Sequence, residues 1–134
     1  MSNNERSVLA FDNVDLWFGL RELSAERCDE LPFGVIRFDG DLRVRDYNRY
    51  EQEAARLSPE NALGKHVFME LAQCMNNYMV AEKFEEAVAT GTPLDVTIDY
   101  VLTWRMKPTP VKLRLLSHPS EAGGVIALKR LADF

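Results

Sequence analysis

Apolar residues along this chain change their spacing repeatedly, and each change marks a predicted element. In Phe11–Leu23, Val14, Leu16, Trp17, Leu20 and Leu23 fall at helical spacing behind a start signal at Asp12 or Asn13, which predicts a short amphipathic helix packed as an N-terminal cap on a sheet. Ala25–Asp29 predicts a second short helical piece before Leu31-Pro32. Phe33–Asp39 is apolar, aromatic and β-branched around a single Arg37, and Leu42–Tyr47 alternates, so the two predict strands joined by the turn Asp39-Gly40-Asp41. Asn48 is a good helix N-cap, and Arg49–Leu57 a short helix closed by Ser58-Pro59. Gly64–Asn77 carries Val67, Phe68, Leu71 and Ala72 near helical spacing. Met79–Thr90 is the clearest helix, with Val80, Phe84, Ala87 and Val88 on one face and Gly91 as its stop. Leu94–Trp104, Val111–Leu116 and Val125–Leu131 predict three more strands, with Glu121–Gly124 as the hairpin turn between the last two.

Two strands, short helices, one longer helix and three strands predict an α+β domain: a five-stranded antiparallel sheet with helices on one face. With no repeat and no linker, residues 1–134 are expected to form one domain, with 1–31 as the cap and 32–134 as the core. A composition that is 46% hydrophobic and 28% charged suits one sizeable core. A net charge of −5 without a basic run excludes a nucleic-acid partner. No segment reaches the roughly 20 apolar residues that span a bilayer, and the N-terminal residues lack a secretion pattern. A cytoplasmic chain with reduced Cys28 and Cys74 is therefore expected. There is no C-x-x-C pair and no histidine cluster, so no metal is expected, and His66 and His118 are taken as surface or structural residues.

Cys74 closes the apolar segment beside Asn76 and Asn77. Packing is the default reading of a free cysteine, but a thiol so placed can also hold a ligand covalently. Tyr47, at the end of a strand, and Glu51, one turn into the next helix, are four apart, so both can point a hydrogen-bonding group at one spot. A surface tyrosine and a solvated glutamate are the plainer reading of that pair taken alone.

From Phe11 to about Arg130, with one single-residue insertion near Pro93, the chain resembles the photoactive yellow protein family of PAS-fold blue-light receptors. The resemblance lies in FGVIRFDGD, in the Tyr47-Asn48 pair followed by Glu51, and in Gly64-Lys65 with Phe68. It continues through Ala72-x-Cys74, Lys83-Phe84, Ala89-Thr90-Gly91 and Met106-x-Pro108-Thr109. It implies a p-coumaroyl (4-hydroxycinnamoyl; p-coumaric acid) group held as a thioester on Cys74, with Tyr47 and an uncharged Glu51 bonding its phenolate. The implied pocket walls are Ile36, Val67, Leu71, Ala72, Met75, Leu102, Trp104 and Met106. It further implies trans-to-cis isomerisation in blue light, proton transfer from Glu51, and loosening of the cap by an unpaired buried carboxylate, read by a downstream signalling protein. No enzymatic activity is implied.

Ala55 stands where the family commonly has a threonine bonding the tyrosine, and Leu57 where it has an arginine over the ring, with Arg56 next door as a substitute. Gln73 replaces the proline before the cysteine, and Leu102 and Trp104 replace pocket aromatics. Two further readings therefore stand beside the photosensor. One is a PAS module that binds another ligand or a protein without photochemistry. The other is a carrier or enzyme that passes an aryl-acyl group through Cys74.

Overall fold

The computed structural model describes residues 9–103 and 108–131. Five strands form one antiparallel sheet: β1 (Gly34–Phe38), β2 (Val44–Tyr47), β3 (Leu94–Leu102), β4 (Thr109–His118) and β5 (Glu121–Arg130), in the order β2-β1-β5-β4-β3. The first and last strands in sequence thus meet at the centre, where Ile36 pairs with Ile126.

Strand alternation sends side chains to two cores. Ile36, Phe38, Leu113, Leu115, Ile126 and Leu128 face one way, towards the helices α3 (Arg49–Ala55), α4 (Pro59–Ala62) and α5 (Ala81–Thr90). Val35, Leu116, Val125 and Ala127 face the other way and are covered by α1 (Leu16–Arg21) and α2 (Ala25–Cys28), whose Leu16, Trp17, Leu20 and Cys28 are buried there. The predicted cap exists, then, and seals the sheet face opposite the other helices. Arg114 pins it: its guanidinium donates to the carbonyls of Phe11 and Asn13, both at 2.8 Å, while an ion pair with Asp95 holds the guanidinium itself.

Several expectations are corrected. Val14 is 84% exposed, because α1 starts only at Leu16 and Val14 precedes its buried stripe. Val88 is 75% exposed, and α5 buries Ala81, Phe84 and Ala87 instead. The last hairpin turns at Pro119-Ser120, with His118 Nδ1 accepting from the Ser120 backbone N–H, and Glu121–Gly124 is strand. Gly123 belongs to that strand because a Cβ there would lie 2.1 Å from the Phe38 carbonyl oxygen, and its φ is +88°. Gly123 thus serves a close backbone approach, which a glycine pair in sequence does not distinguish from a turn.

Candidate functional site

The site grows from two junctions. At the first, β2 hands over to α3. Asn48 caps the helix as expected, its Oδ1 accepting from the Glu51 and Val35 backbone N–H groups. Its Nδ2 donates to the carbonyls of Cys28 and Phe33, so one buried amide ties the helix start to the cap and to β1. That fixed turn leaves Tyr47 and Glu51 both buried on the same side.

At the second junction, the segment expected to be an apolar helix takes a different path. Val67–Leu71 is a wide π turn, in which Leu71 N–H bonds the His66 carbonyl and Ala72 N–H bonds the Val67 carbonyl, five residues back. The ring of His66 caps it, Nδ1 accepting from the Phe68 and Met69 N–H groups, and this gives that histidine a structural task. A tight turn, Gln73–Met75, follows. Cys74 sits in it, half-buried, with its carbonyl accepting from the Tyr100 hydroxyl and, at 3.1 Å, from Asn77 Nδ2. Asn77 Oδ1 in turn accepts from the Met79 and Val80 N–H groups at the approach to α5.

Between the junctions lies a cavity of about 40 Å³ lined by Ile36, Tyr47, Glu51, Leu71, Ala72, Cys74, Met75 and Leu102, with Ala55, Leu128 and Arg130. The three chemical residues expected from the sequence therefore share one cavity. Of the expected walls, Val67 is fully buried in the same core but does not line the cavity, since it opens the π turn and the cavity is met by the turn's far end. Trp104 and Met106 lie outside the described residues. Leu57 packs against the core without lining the cavity, and Arg56 does not line it either.

The residue that sequence reasoning missed is Arg130, the last of β5. It donates Nη1 to Glu51 Oε1 at 2.7 Å and Nη2 to Glu51 Oε2 at 3.0 Å, and the two side chains are only 17% and 5% exposed. With no ligand bound, Glu51 is thus gripped by a fork, the strongest geometry available to this pair. Burial works to lower the pKa of Arg130, but the hydrogen bonds and charge of Glu51 more than offset it, and the guanidinium is held above its ordinary value. Glu51 also rests on Gly34: a Cβ there would stand 2.3 Å from Oε1, so the ion pair fits only because β1 begins with a glycine. Cys28 lies on the far side of the sheet, in the cap core, where burial raises its thiol pKa, with the nearby Arg37 partly opposing that rise.

The cavity fits a p-coumaroyl group in kind, with a thiol at one edge, a tyrosine and an acid at another, and apolar walls between. At about 40 Å³ it is well below the ~150 Å³ of a protein cavity that admits benzene, so its walls must part to admit a ring.

This combination of a central antiparallel sheet, a helical layer and a cavity between them is a PAS fold, and residues 28–129 match the model of that fold. Solved PAS domains share the architecture at low identity; one from a Haloarcula marismortui HTR-like protein has a TM-score of 0.60 at 11% identity, covering 87% of this chain and 99% of its own. Within the fold the likeness is narrower. The photoactive yellow protein of Halochromatium salexigens is 30% identical over 93% of this chain and 99% of its own length, and that of Rhodothalassium salexigens is 30% identical over 81% and 86%. The photoactive yellow protein domain of the sensor histidine kinase Ppr from Rhodospirillum centenum superposes with a TM-score of 0.75 at 28% identity, covering 84% of this chain and 97% of that one. The chain belongs to the photoactive yellow protein family.

Proposed function

We propose that this chain is a cytoplasmic blue-light photosensor carrying a p-coumaroyl group as a thioester on Cys74. The observation that carries the reading is the meeting of Cys74, Tyr47 and Glu51, drawn from separate parts of the chain, around one cavity with an apolar wall. Loading needs an activated acyl donor, an anhydride or a thioester. Cys74 Sγ bonds the acyl carbon, the donor's leaving group departs, and the thiol proton goes to it. Cysteine suits this step because its thiolate is nucleophilic near neutral pH. When bound, the group supplies a visible absorption band and a double bond that isomerises from trans to cis in blue light.

The chain's own residues do the rest. Tyr47 and Glu51 hold the phenolate end. Keeping a phenol ionised at neutral pH, from a free value near 10, takes about 3 units, roughly 4 kcal/mol, which two hydrogen bonds to a charged group at ~1.5–3 kcal/mol each can supply. Asn48 is placed to pass on a change at this end, since it bonds both the Glu51 N–H and the Cys28 carbonyl of the cap. A loosened cap would then present a new surface to a signalling partner.

Mixing the protein with p-coumaric anhydride tests the reading. A yellow adduct that bleaches reversibly in blue light is expected, and Cys74→Ala must abolish it. A stable adduct that never bleaches would replace the photosensor with a binding module, and one that turns over would make the chain a carrier. Label on Cys28 in place of Cys74 would refute the site.

A further inference from the structure

Arg130 is the cation among the described residues that line the cavity, and the ionisable groups gathered there with it are Glu51, Tyr47 and Cys74. Tyr50 flanks it from α3: the Arg130 backbone N–H donates to the Tyr50 hydroxyl at 3.4 Å, and the guanidinium carbon lies 6.0 Å from the ring centre. Both carboxylate oxygens of Glu51 accept from the guanidinium. A protonated carboxyl would set an O–H against one of those N–H donors, so this arrangement holds no proton. The Glu51–Arg130 pair of the unloaded pocket is therefore neutral, one carboxylate against one cation with no proton between them.

We propose that Arg130 is the counter-cation of the ligand's acidic head, and that loading exchanges one anion for another against the same guanidinium. A phenol enters carrying its own proton. Its O–H bond breaks, the proton forms a new O–H bond on a Glu51 carboxylate oxygen, and the phenolate takes the place of the carboxylate opposite Arg130. At this end of the pocket no proton is drawn from or released to solvent (the thiol proton leaves with the acyl donor's leaving group), and the cluster stays neutral with two acids, one proton and one cation. Arg130 thereby sets how many protons the pocket holds. Tyr47, by donating to the phenolate, and the delocalisation of the ligand's charge set where that one proton sits. The same balance selects ligands: a neutral phenol or other weak acid fits, whereas an aryl-acyl group without an acidic proton leaves the Glu51–Arg130 pair closed. It also implies a different driving force in light, because proton return to the phenol restores a carboxylate that Arg130 is there to pair, not an unpaired buried charge.

The identity of the ligand rests on the photosensor reading; the state of the unloaded pair does not. Infrared difference spectroscopy separates them. Unloaded wild type is expected to show no protonated-carboxyl stretch from Glu51, and the p-coumaroyl adduct to show one that Glu51→Gln removes. In Arg130→Gln, the buried acid without its cation is expected to be protonated before loading. In the Arg130→Gln adduct the cluster takes up a proton, so the pH midpoint for loss of the yellow band rises by about one unit or more, a tenfold change, and Arg130→Lys restores it towards wild type. An acid stretch in the unloaded wild type, no new one on loading, or an Arg130→Gln midpoint equal to wild type overturns the proposal. An adduct with these infrared changes that does not bleach in light overturns the photosensor and leaves the exchange standing. A chain that takes no acyl group overturns both.

Discussion

Gly34→Ala adds one methyl group where the structure has none to spare, and its effect can be worked from the geometry. The new Cβ would stand 2.3 Å from Glu51 Oε1, 3.2 Å from Cδ and 3.4 Å from Glu51 Cβ. To restore 3.0 Å, the carboxylate must move by about 0.7 Å. Its bond to Arg130 Nη1 is 2.7 Å long, and a displacement of that size takes it to the edge of hydrogen bonding. Losing one charge-assisted bond inside a buried pair costs about 2 kcal/mol, which for a chain of this length lowers Tm by about 7 °C. Thermal unfolding of the unloaded protein measures it. The control is the same substitution in a Glu51→Ala background, where no carboxylate remains to be displaced. There Gly34→Ala should be neutral or slightly stabilising, since alanine in a strand restricts the unfolded chain more than glycine. The double-mutant cycle should therefore show a coupling of about 2 kcal/mol. A cost below about 0.5 kcal/mol, or the same cost in both backgrounds, would show that Gly34 matters for its strand and not for the ion pair.

Asn48→Ala removes a helix cap and leaves the Val35 N–H and the carbonyls of Cys28 and Phe33 without that partner; a loss of about 3 kcal/mol is expected in denaturant titration, with faster amide exchange at both the cap and α3. Arg114→Met should release the carbonyls of Phe11 and Asn13, so limited proteolysis cuts ahead of Leu16 while the sheet keeps its far-ultraviolet spectrum; an unchanged cleavage pattern would refute the pinning role. Native protein should react with a thiol reagent at half-buried Cys74 well before Cys28, which is 1% exposed. Because burial raises the Cys28 pKa in the folded state above the ordinary thiol value of 9.0, the stability it contributes is complete below that value and is lost as pH rises above it; Cys28→Ala should flatten that alkaline slope in a pH series of unfolding midpoints.

The parts of the fold that were legible are those where local chemistry and burial agree. Asn48 could be read as a cap because a short polar side chain before Arg49 has one common use, and Gly91 as a helix stop because its left-handed backbone, φ +66°, suits glycine. The misreadings have a common cause in tertiary geometry. Val14 and Val88 match an apolar period but lie beyond the reach of the neighbouring sheet face. Gly123 and Gly124 resemble a turn, yet each answers to a neighbour far away in the chain: Phe38 crowds both, and Phe84 crowds Gly124. The π turn at Val67–Leu71 shows the limit from another side. Its apolar spacing is near helical, and only the His66 ring accepting two N–H groups, together with bonds that reach back five residues, makes the turn wide enough to bring Leu71, Ala72 and Cys74 to the cavity.

Arg130 was hidden for a different reason. It lies 79 residues from Glu51, at the end of a strand whose alternation describes only its apolar members, and nothing in a terminal Lys-Arg pair distinguishes a solvated charge from a buried one. In the sequence neighbourhood of Leu57 the cation on offer is Arg56, which does not line the cavity. Burial supplies the need for a cation: Glu51 is 4% exposed and cannot remain there as a carboxylate without a partner. The order β2-β1-β5 seats the end of β5 beside the start of β1, because Gly34 pairs with Leu128, two residues before Arg130. Among the residues near that end of the sheet, the sequence offers one arginine on β5 and none on β1 ahead of Arg37. Sheet topology, together with the requirement that a buried charge be compensated, therefore accounts for the partner, whereas motif spacing along the chain does not.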